Sequence, residues 1–276
     1  MTDGSASILL IGESGVGKTH YGAQLLRRLM KGDGALHMDG AATNLEPFEE
    51  ALESLNEGRA ASHTARSIYI DSVWPIAETN GRRAALVWPE YGGEQIKSIT
   101  DTRRLPHAWH ARIGAADAWL LLIRLQQTRI GDDIFSKPLA DLRGTSVQNG
   151  EVHPSDQARL VELLQMLIFS HGSTGMHSSI PRLGVLLTCW DEVGLDERPA
   201  VALEQRLPLV SAFVRSNWAS PVVMGLSALE RSLSPTHSDM DYVTHGPEHF
   251  GYVITSDGVR SGDLTLPIHT LLDRNR

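Results

Sequence analysis

The chain has 276 residues, 41% hydrophobic and 21% charged, so it can bury a core of ordinary size and is not expected to be disordered. With 33 acidic against 25 basic side chains the net charge is −8, which argues against a bulk binder of nucleic acid or of an anionic membrane. A single cysteine, Cys189, excludes an intrachain disulfide framework and a cysteine-rich zinc site, and no apolar run is long enough to span a bilayer.

In chain order, residues 7–11 (S-I-L-L-I) form a short apolar run bounded by Gly12, the pattern of a buried strand. Residues 18–30 carry Tyr21, Leu25, Leu26 and Leu29 at helical spacing, and a second helix is expected over 47–56. Residues 66–71 and 83–88 read as strands, and Asn80-Gly81 between them favours a tight hairpin, so the two are expected to lie antiparallel. A loop over 89–106 leads to a buried strand at 118–123, and the polar stretch 124–154 reads as a solvent-facing insertion. A helix over 154–171, a strand at 183–188, a helix over 201–218 and a strand at 221–226 follow. The extension 231–276 closes on a small hairpin around Asp257-Gly258 and a helix over 264–272. The expected fold is α/β: one domain over 1–276, with a mostly parallel six-stranded sheet, one antiparallel edge strand and helices on both faces. No basic stretch leads into a signal-peptide core, so a soluble, cytoplasmic chain is expected, without membrane insertion and without direct nucleic-acid binding.

The strongest chemical signal is Gly12-Glu13-Ser14-Gly15-Val16-Gly17-Lys18-Thr19, a full G-x-x-x-x-G-K-[ST] match that follows a predicted strand and opens a predicted helix. Glycines let the backbone curl so that successive N–H groups point at phosphate oxygens, and the helix N-terminus adds a favourable dipole. Lys18 is placed to neutralise terminal phosphates and the Thr19 hydroxyl to ligate Mg²⁺; His20 follows directly on the same turn.

Three later segments bear on what the phosphate belongs to. Residues 88–94 (W-P-E-Y-G-G-E) put Glu90, Gly93 and Glu94 at the C-terminal end of a strand, where α/β sheets bind ligands, although an ordinary turn has the same composition. Residues 188–192 (T-C-W-D-E) follow the fifth strand. Asp191 there can accept two hydrogen bonds from the N1–H and exocyclic amine of guanine, a pairing adenine cannot offer, or it can simply cap a helix. Residues 225–229 (G-L-S-A-L) end the sixth strand. Twelve histidines show no metal-ligand spacing with acidic or cysteine partners.

In this order, GESGVGKT, a threonine at Thr64, PEYGGE, TCWDE and LSAL resemble the Ras-like, translation-factor-related (TRAFAC) class of P-loop GTPases. The glycine–glutamate pair, the T-C-W-D and the tail at 250–253 and 263–268 are similar to bacterial double-GTPase (DO-GTPase) domains of conflict and defence systems. The resemblance implies a Ras-like P-loop fold that binds GTP and GDP with Mg²⁺, hydrolyses GTP slowly or under stimulation, and switches a partner protein. It gives the 13–18 amides and Lys18 to the phosphates, Thr19, Thr64 and Glu90 to the metal, Gly93 to the γ-phosphate, and Glu94 to the attacking water. Cys189, Trp190 and Asp191 would surround the base, and Ser227, Ala228 and Leu229 would lay backbone amides against its carbonyl. The chain departs from the class pattern in having no aspartate at 89 or 90, Thr188 for asparagine and Cys189 for lysine. No motif supplies a catalytic arginine; Arg66, Arg82 and Arg83 are candidates in cis, and a protein activator could supply one in trans. A second copy of the chain, as a homodimer, is a further candidate partner; a nucleotide-binding scaffold without turnover and a P-loop ATPase or kinase stand as alternative functions.

Overall fold

The computed structural model describes residues 6–61, 70–90, 94–129, 155–173, 179–194 and 197–273. Nine strands are present among them: β1 (Ala6–Gly12), β2 (Leu36–Met38), β3 (Ile70–Glu78), β4 (Arg83–Glu90), β5 (Ala118–Arg124), β6 (Arg182–Thr188), β7 (Val222–Ser227), β8 (Tyr252–Ile254) and β9 (Arg260–Ser261). They form one sheet in the order β2-β3-β4-β1-β5-β6-β7-β8-β9. The central five, β4 to β7 in that order, run parallel, while β2–β3–β4 and β7–β8–β9 are antiparallel at the two sides.

Alternation along β1 divides the core. Ile8 and Leu10 face one side with α1 (Lys18–Lys31), α2 (Glu46–Asn56) and the C-terminal helix, through Tyr21, Leu25, Phe48 and Ile268. Leu9 and Ile11 face the other side, against α3 (Glu94–Thr102), α4 (His107–Ala115), α5 (Asp156–Ser173), α6 (Pro199–Arg206) and α7 (Pro208–Asn217), through Ile96, Trp109, Leu164, Leu203 and Val210. A sheet covered on both faces explains why β5 (A-W-L-L-L-I-R) and β6 (R-L-G-V-L-L-T) are nearly continuous apolar runs. The short α8 (Met240–His245) and α9 (Leu266–Leu272) belong to the C-terminal extension.

The six expected strands are the central six of this sheet, with β3 antiparallel among them. Several details differ. The C-terminal hairpin is not a separate appendage, because β8 pairs with β7 and continues the sheet. Strand β2 is only three residues long and leaves no periodic signal. Strand β3 runs later than expected, to Glu78; Pro75 in its middle disguises it, since proline normally marks an edge or a break. The 89–106 stretch expected as a loop contains α3, and α4 follows it. The single helix expected over 201–218 is two, because Pro208 cannot continue α6 and instead opens α7. The expected insertion begins later than 124: Arg124 ends β5 and 125–127 form a 3₁₀ turn against the sheet. The rest of the insertion, from 130 to 154, lies outside the described residues.

Candidate functional site

The glycine-rich loop leaves the C-terminal end of β1, the central parallel strand, and enters α1. Gly17 caps that helix in a left-handed conformation (φ 83°, ψ 16°), and Gly15 is also left-handed (φ 77°), a geometry side-chain-bearing residues adopt only with strain. Lys18 Nζ donates to the carbonyls of Gly12 (2.9 Å) and Glu13 (2.7 Å), so its ammonium lies over the loop's own backbone. Ser14, Val16 and Thr19 complete this turn, with Val16 buried in the core beneath it.

Two arginines converge on the loop. Arg159 of α5 places Nη2 2.6 and 2.7 Å from the two carboxylate oxygens of Glu13. Burial pushes the Glu13 carboxyl up, and the Arg159 charge opposes that push. Arg124, at the end of β5, donates from Nη1 to the Gly15 carbonyl at 3.2 Å. Its Nε and Nη2 grip Glu192 at 2.9 and 2.5 Å. The 3₁₀ turn after Arg124 adds a bond from Gln126 Nε2 to the Glu192 carbonyl at 2.9 Å.

The T-C-W-D-E segment lies beside the phosphate loop. Cys189 has φ 52° and ψ 47°, and its Sγ lies 3.9 Å from where a side chain on Gly17 would begin. Burial pushes its thiol up to about 11, so the residue is uncharged at neutral pH. Asp191 is exposed, and the fully buried Ser227 at the end of β7 donates its hydroxyl to Oδ1. The same Ser227 Oγ accepts the Glu230 amide at 2.9 Å, which ties the L-S-A-L turn to Asp191. Trp190 is 5% exposed and packs into the core under Gly225, so its indole is directed away from this cleft.

Glu90 ends β4; the β1–β4 register, extended along both strands, sets it level with Gly12. Glu94 opens α3 a few residues on. Gly93 and Thr64 lie outside the described residues, as does Arg66. His20, one turn into α1, accepts the Ala61 amide on Nε2 at 3.0 Å, which fixes the chain just before 62–69. Burial, and then the charge of Arg124, hold its imidazole down to about 4, so it is neutral at physiological pH.

Two of the arginines expected in cis are misplaced for the role. Arg83 opens β4 and pairs with Asp39 at 2.7 Å, and Arg82 lies 3.9 Å from Glu78. Both stand at the N-terminal end of β4, about 25 Å of strand away from Glu90. Sequence reading also passed over Arg124, Arg159 and Gln24. Gln24 is fully buried in α1, and its Nε2 donates to the carbonyls of Ala228 (3.2 Å), Pro247 (2.9 Å) and Phe250 (3.4 Å). The available signal for Arg124 was its place at the C-terminal end of a parallel strand, on the ligand side of the sheet.

A phosphate loop between a central parallel strand and its helix, with an exposed aspartate braced two strands away, defines a Ras-like P-loop nucleotide-binding domain. The profile of the Double-GTPase 1 family matches residues 9–271, and the chain belongs to that family. No curated protein matches the sequence. Among solved structures, it is similar to a bacterial selenocysteine-specific elongation factor, EF-Sec (14% identity, TM-score 0.36, covering 81% of this chain and 26% of that one). It is also similar to the signal recognition particle receptor SRb-GTP/SRX complex from Chaetomium thermophilum (15%, TM-score 0.41, 84% and 94%). A third is the Arl6 BBS3 small GTPase from Trypanosoma brucei with bound GppNp (10%, TM-score 0.37, 89% and 98%). The chain thus spans about a quarter of the elongation factor's length. Among the described residues no helix is long and apolar enough to cross a membrane.

Proposed function

We propose that the chain binds GTP and GDP in this cleft with Mg²⁺, hydrolyses GTP slowly on its own, and acts as a cytoplasmic switch on a partner protein. The observation that carries this reading is Asp191: exposed, oriented by Ser227, and next to the phosphate loop through Cys189 and Gly17. A carboxylate so placed accepts the N1–H and the amine of guanine together, and adenine lacks that donor pair.

No group of three or more His, Cys, Asp or Glu among the described residues could hold a metal by itself. That fits Mg²⁺, which takes one or two protein ligands and completes its shell with phosphate oxygens and water. Thr19 would hold it, with Thr64 and Glu90 as further ligands. Bound there, the ion would neutralise charge on the transferring phosphoryl group. Lys18, turned from its two backbone carbonyls, would stabilise the terminal phosphate together with the loop amides. Glu94 would orient the attacking water. A carboxylate beside phosphate is a poor substitute for an amide in this role, and the guanidinium groups of Arg124 and Arg159 already grip Glu192 and Glu13. Slow intrinsic turnover follows, with an arginine supplied in trans by a partner worth on the order of 10³-fold. The defence setting rests on the family likeness alone.

The test is competition among GTP, GDP, ATP and ADP, with and without Mg²⁺, for the parent protein and Asp191→Ala, followed by single-turnover phosphate release. Guanine preference that Asp191→Ala abolishes is the expected result. Equal loss for both bases, or none, would remove the support for base reading. The uncharged Cys189 and the absent aspartate favour a second reading, a nucleotide-binding scaffold; tight GTP binding with no phosphate release would select it.

A further inference from the structure

Resting on the guanine-nucleotide reading, we infer that Arg124 is the positioning residue that clamps the base loop to the phosphate loop, standing in for the cation that Cys189 does not supply. The β5–β6 register sets Arg124 directly opposite Thr188, the last residue of β6, at a strand spacing of about 4.8 Å. From there its side chain crosses the end of β6 and reaches both loops at once. The planar fork takes both oxygens of Glu192, one residue after Asp191, and the remaining nitrogen takes the Gly15 carbonyl. Paired donors on a carboxylate fix orientation as well as distance, which a single ammonium cannot do.

The flanking turn repeats the arrangement. Gln126 bonds the Glu192 carbonyl on the base-loop side, while the Gln127 side chain lies 3.0 Å from where a side chain on Gly15 would begin. The Arg124 charge is also felt on both sides, lowering the affinity of His20 for protons and opposing the upward push on Cys189. The segment it holds needs holding. Cys189, at the head of the turn, has a left-handed backbone that a non-glycine residue keeps only when its surroundings enforce it. Asp191 is thus oriented from two directions: Ser227 holds its carboxylate, and Arg124, through Glu192, holds the turn that carries it.

A nucleotide that touches phosphate loop and base loop together needs their separation fixed beforehand, and the clamp supplies that. Its loss falls on the ligand that engages both ends and spares one held by its phosphates alone. The experiment measures affinity and release rate of GDP and ADP for the full chain and for Arg124→Ala, Arg124→Lys, Glu192→Gln and the Arg124→Ala/Glu192→Gln double variant. Arg124→Ala and Glu192→Gln are each expected to weaken GDP on the order of tenfold, mainly through faster release, with ADP changed much less. The double variant is expected to be no weaker than the worse single one, because both break the same contact. Arg124→Lys should fall between parent and alanine, since an ammonium can serve Gly15 or Glu192 but not both. GDP binding within twofold of the parent in both single variants, losses that multiply in the double, or equal losses for GDP and ADP would each overturn the clamp. If Arg124→Ala does not fold, Arg124→Lys and Glu192→Gln, which keep the bulk, decide the matter. A parent that does not prefer GDP to ADP overturns the guanine reading and the clamp with it. A parent that prefers GDP, with variants that prefer it equally, overturns the clamp alone.

Discussion

The contact between Trp190 and Gly225 makes the turn that carries Asp191 depend on a missing methyl group. A Cβ built on Gly225 would lie 2.6 and 2.7 Å from Cδ2 and Cε3 of the Trp190 ring. Carbon atoms prefer about 3.5–4.0 Å, so the ring would have to retreat by about 1 Å. It has little room to do so, being 5% exposed and part of the core beneath β6 and β7. Overpacking of this kind costs about 1–3 kcal/mol, offset by about 0.4–1 kcal/mol from the stiffer unfolded chain. Gly225→Ala is therefore expected to lose about 1–2 kcal/mol and to lower Tm by roughly 2–8 °C. Because Trp190 immediately precedes Asp191, GDP should also leave faster. Gly172 is the internal comparison: it lies in α5 with nothing within 4 Å of a built Cβ. Gly172→Ala should gain about 0.5–1 kcal/mol from helix propensity. Thermal unfolding of the two variants, with Gly225→Ala/Trp190→Phe as the rescue, measures both. A Gly225→Ala protein that melts at or above the parent, or one that Trp190→Phe does not improve, would refute the packing argument.

Lys18→Ala should abolish binding of di- and triphosphates while leaving the melting temperature without ligand within a few degrees, as checked by calorimetry with and without GDP. His20 has a folded value near 4 against an ordinary 6.5, so between those values the unfolded chain takes up a proton the folded one refuses. Stability is accordingly expected to fall as pH drops through that window, and His20→Gln should flatten the fall; an unchanged slope of Tm against pH would contradict this. Glu13→Gln leaves Arg159 with Asp156 at 3.3 Å as its remaining carboxylate, and should cost about 1–3 kcal/mol in a denaturant titration.

Five of the six central strands can be read from the sequence because each is a short, nearly continuous apolar run; Gly12 ends β1, and Pro181 and Pro221 precede β6 and β7. The phosphate loop could be read because its chemistry is local to eight residues. Strand β3 was misplaced because Pro75 mimics a strand end, and α3 was missed because Pro89 and two glycines before it read as loop. The parts of the site that escaped reading are long-range. Arg124 meets Gly15 and Glu192, Arg159 meets Glu13, and Gln24 meets Phe250, pairs 226 residues apart at most. None has a spacing signature, since only the sheet order brings these residues together. Asp191 is a candidate from its place after the strand at 183–188, but its hydrogen bond with Ser227 appears only once β6 and β7 lie side by side.

The far end of the chain completes the packing of the phosphate helix. The hydroxyl of Tyr21 donates to Leu264, Gln24 and Arg28 donate to Phe250, and the apolar face of α1 is closed by Ile268 and Leu271. During synthesis these partners emerge some 220 to 250 residues after the helix they cover, a delay of roughly ten to fifty seconds at ordinary elongation rates. For that interval the phosphate loop is attached to a helix covered by Ile8, Leu10 and Phe48 but still lacking Ile268 and Leu271. The packing behind the phosphate loop is therefore completed only after residue 264 has been made, and a chain stalled before it would carry the motif on an incompletely packed helix.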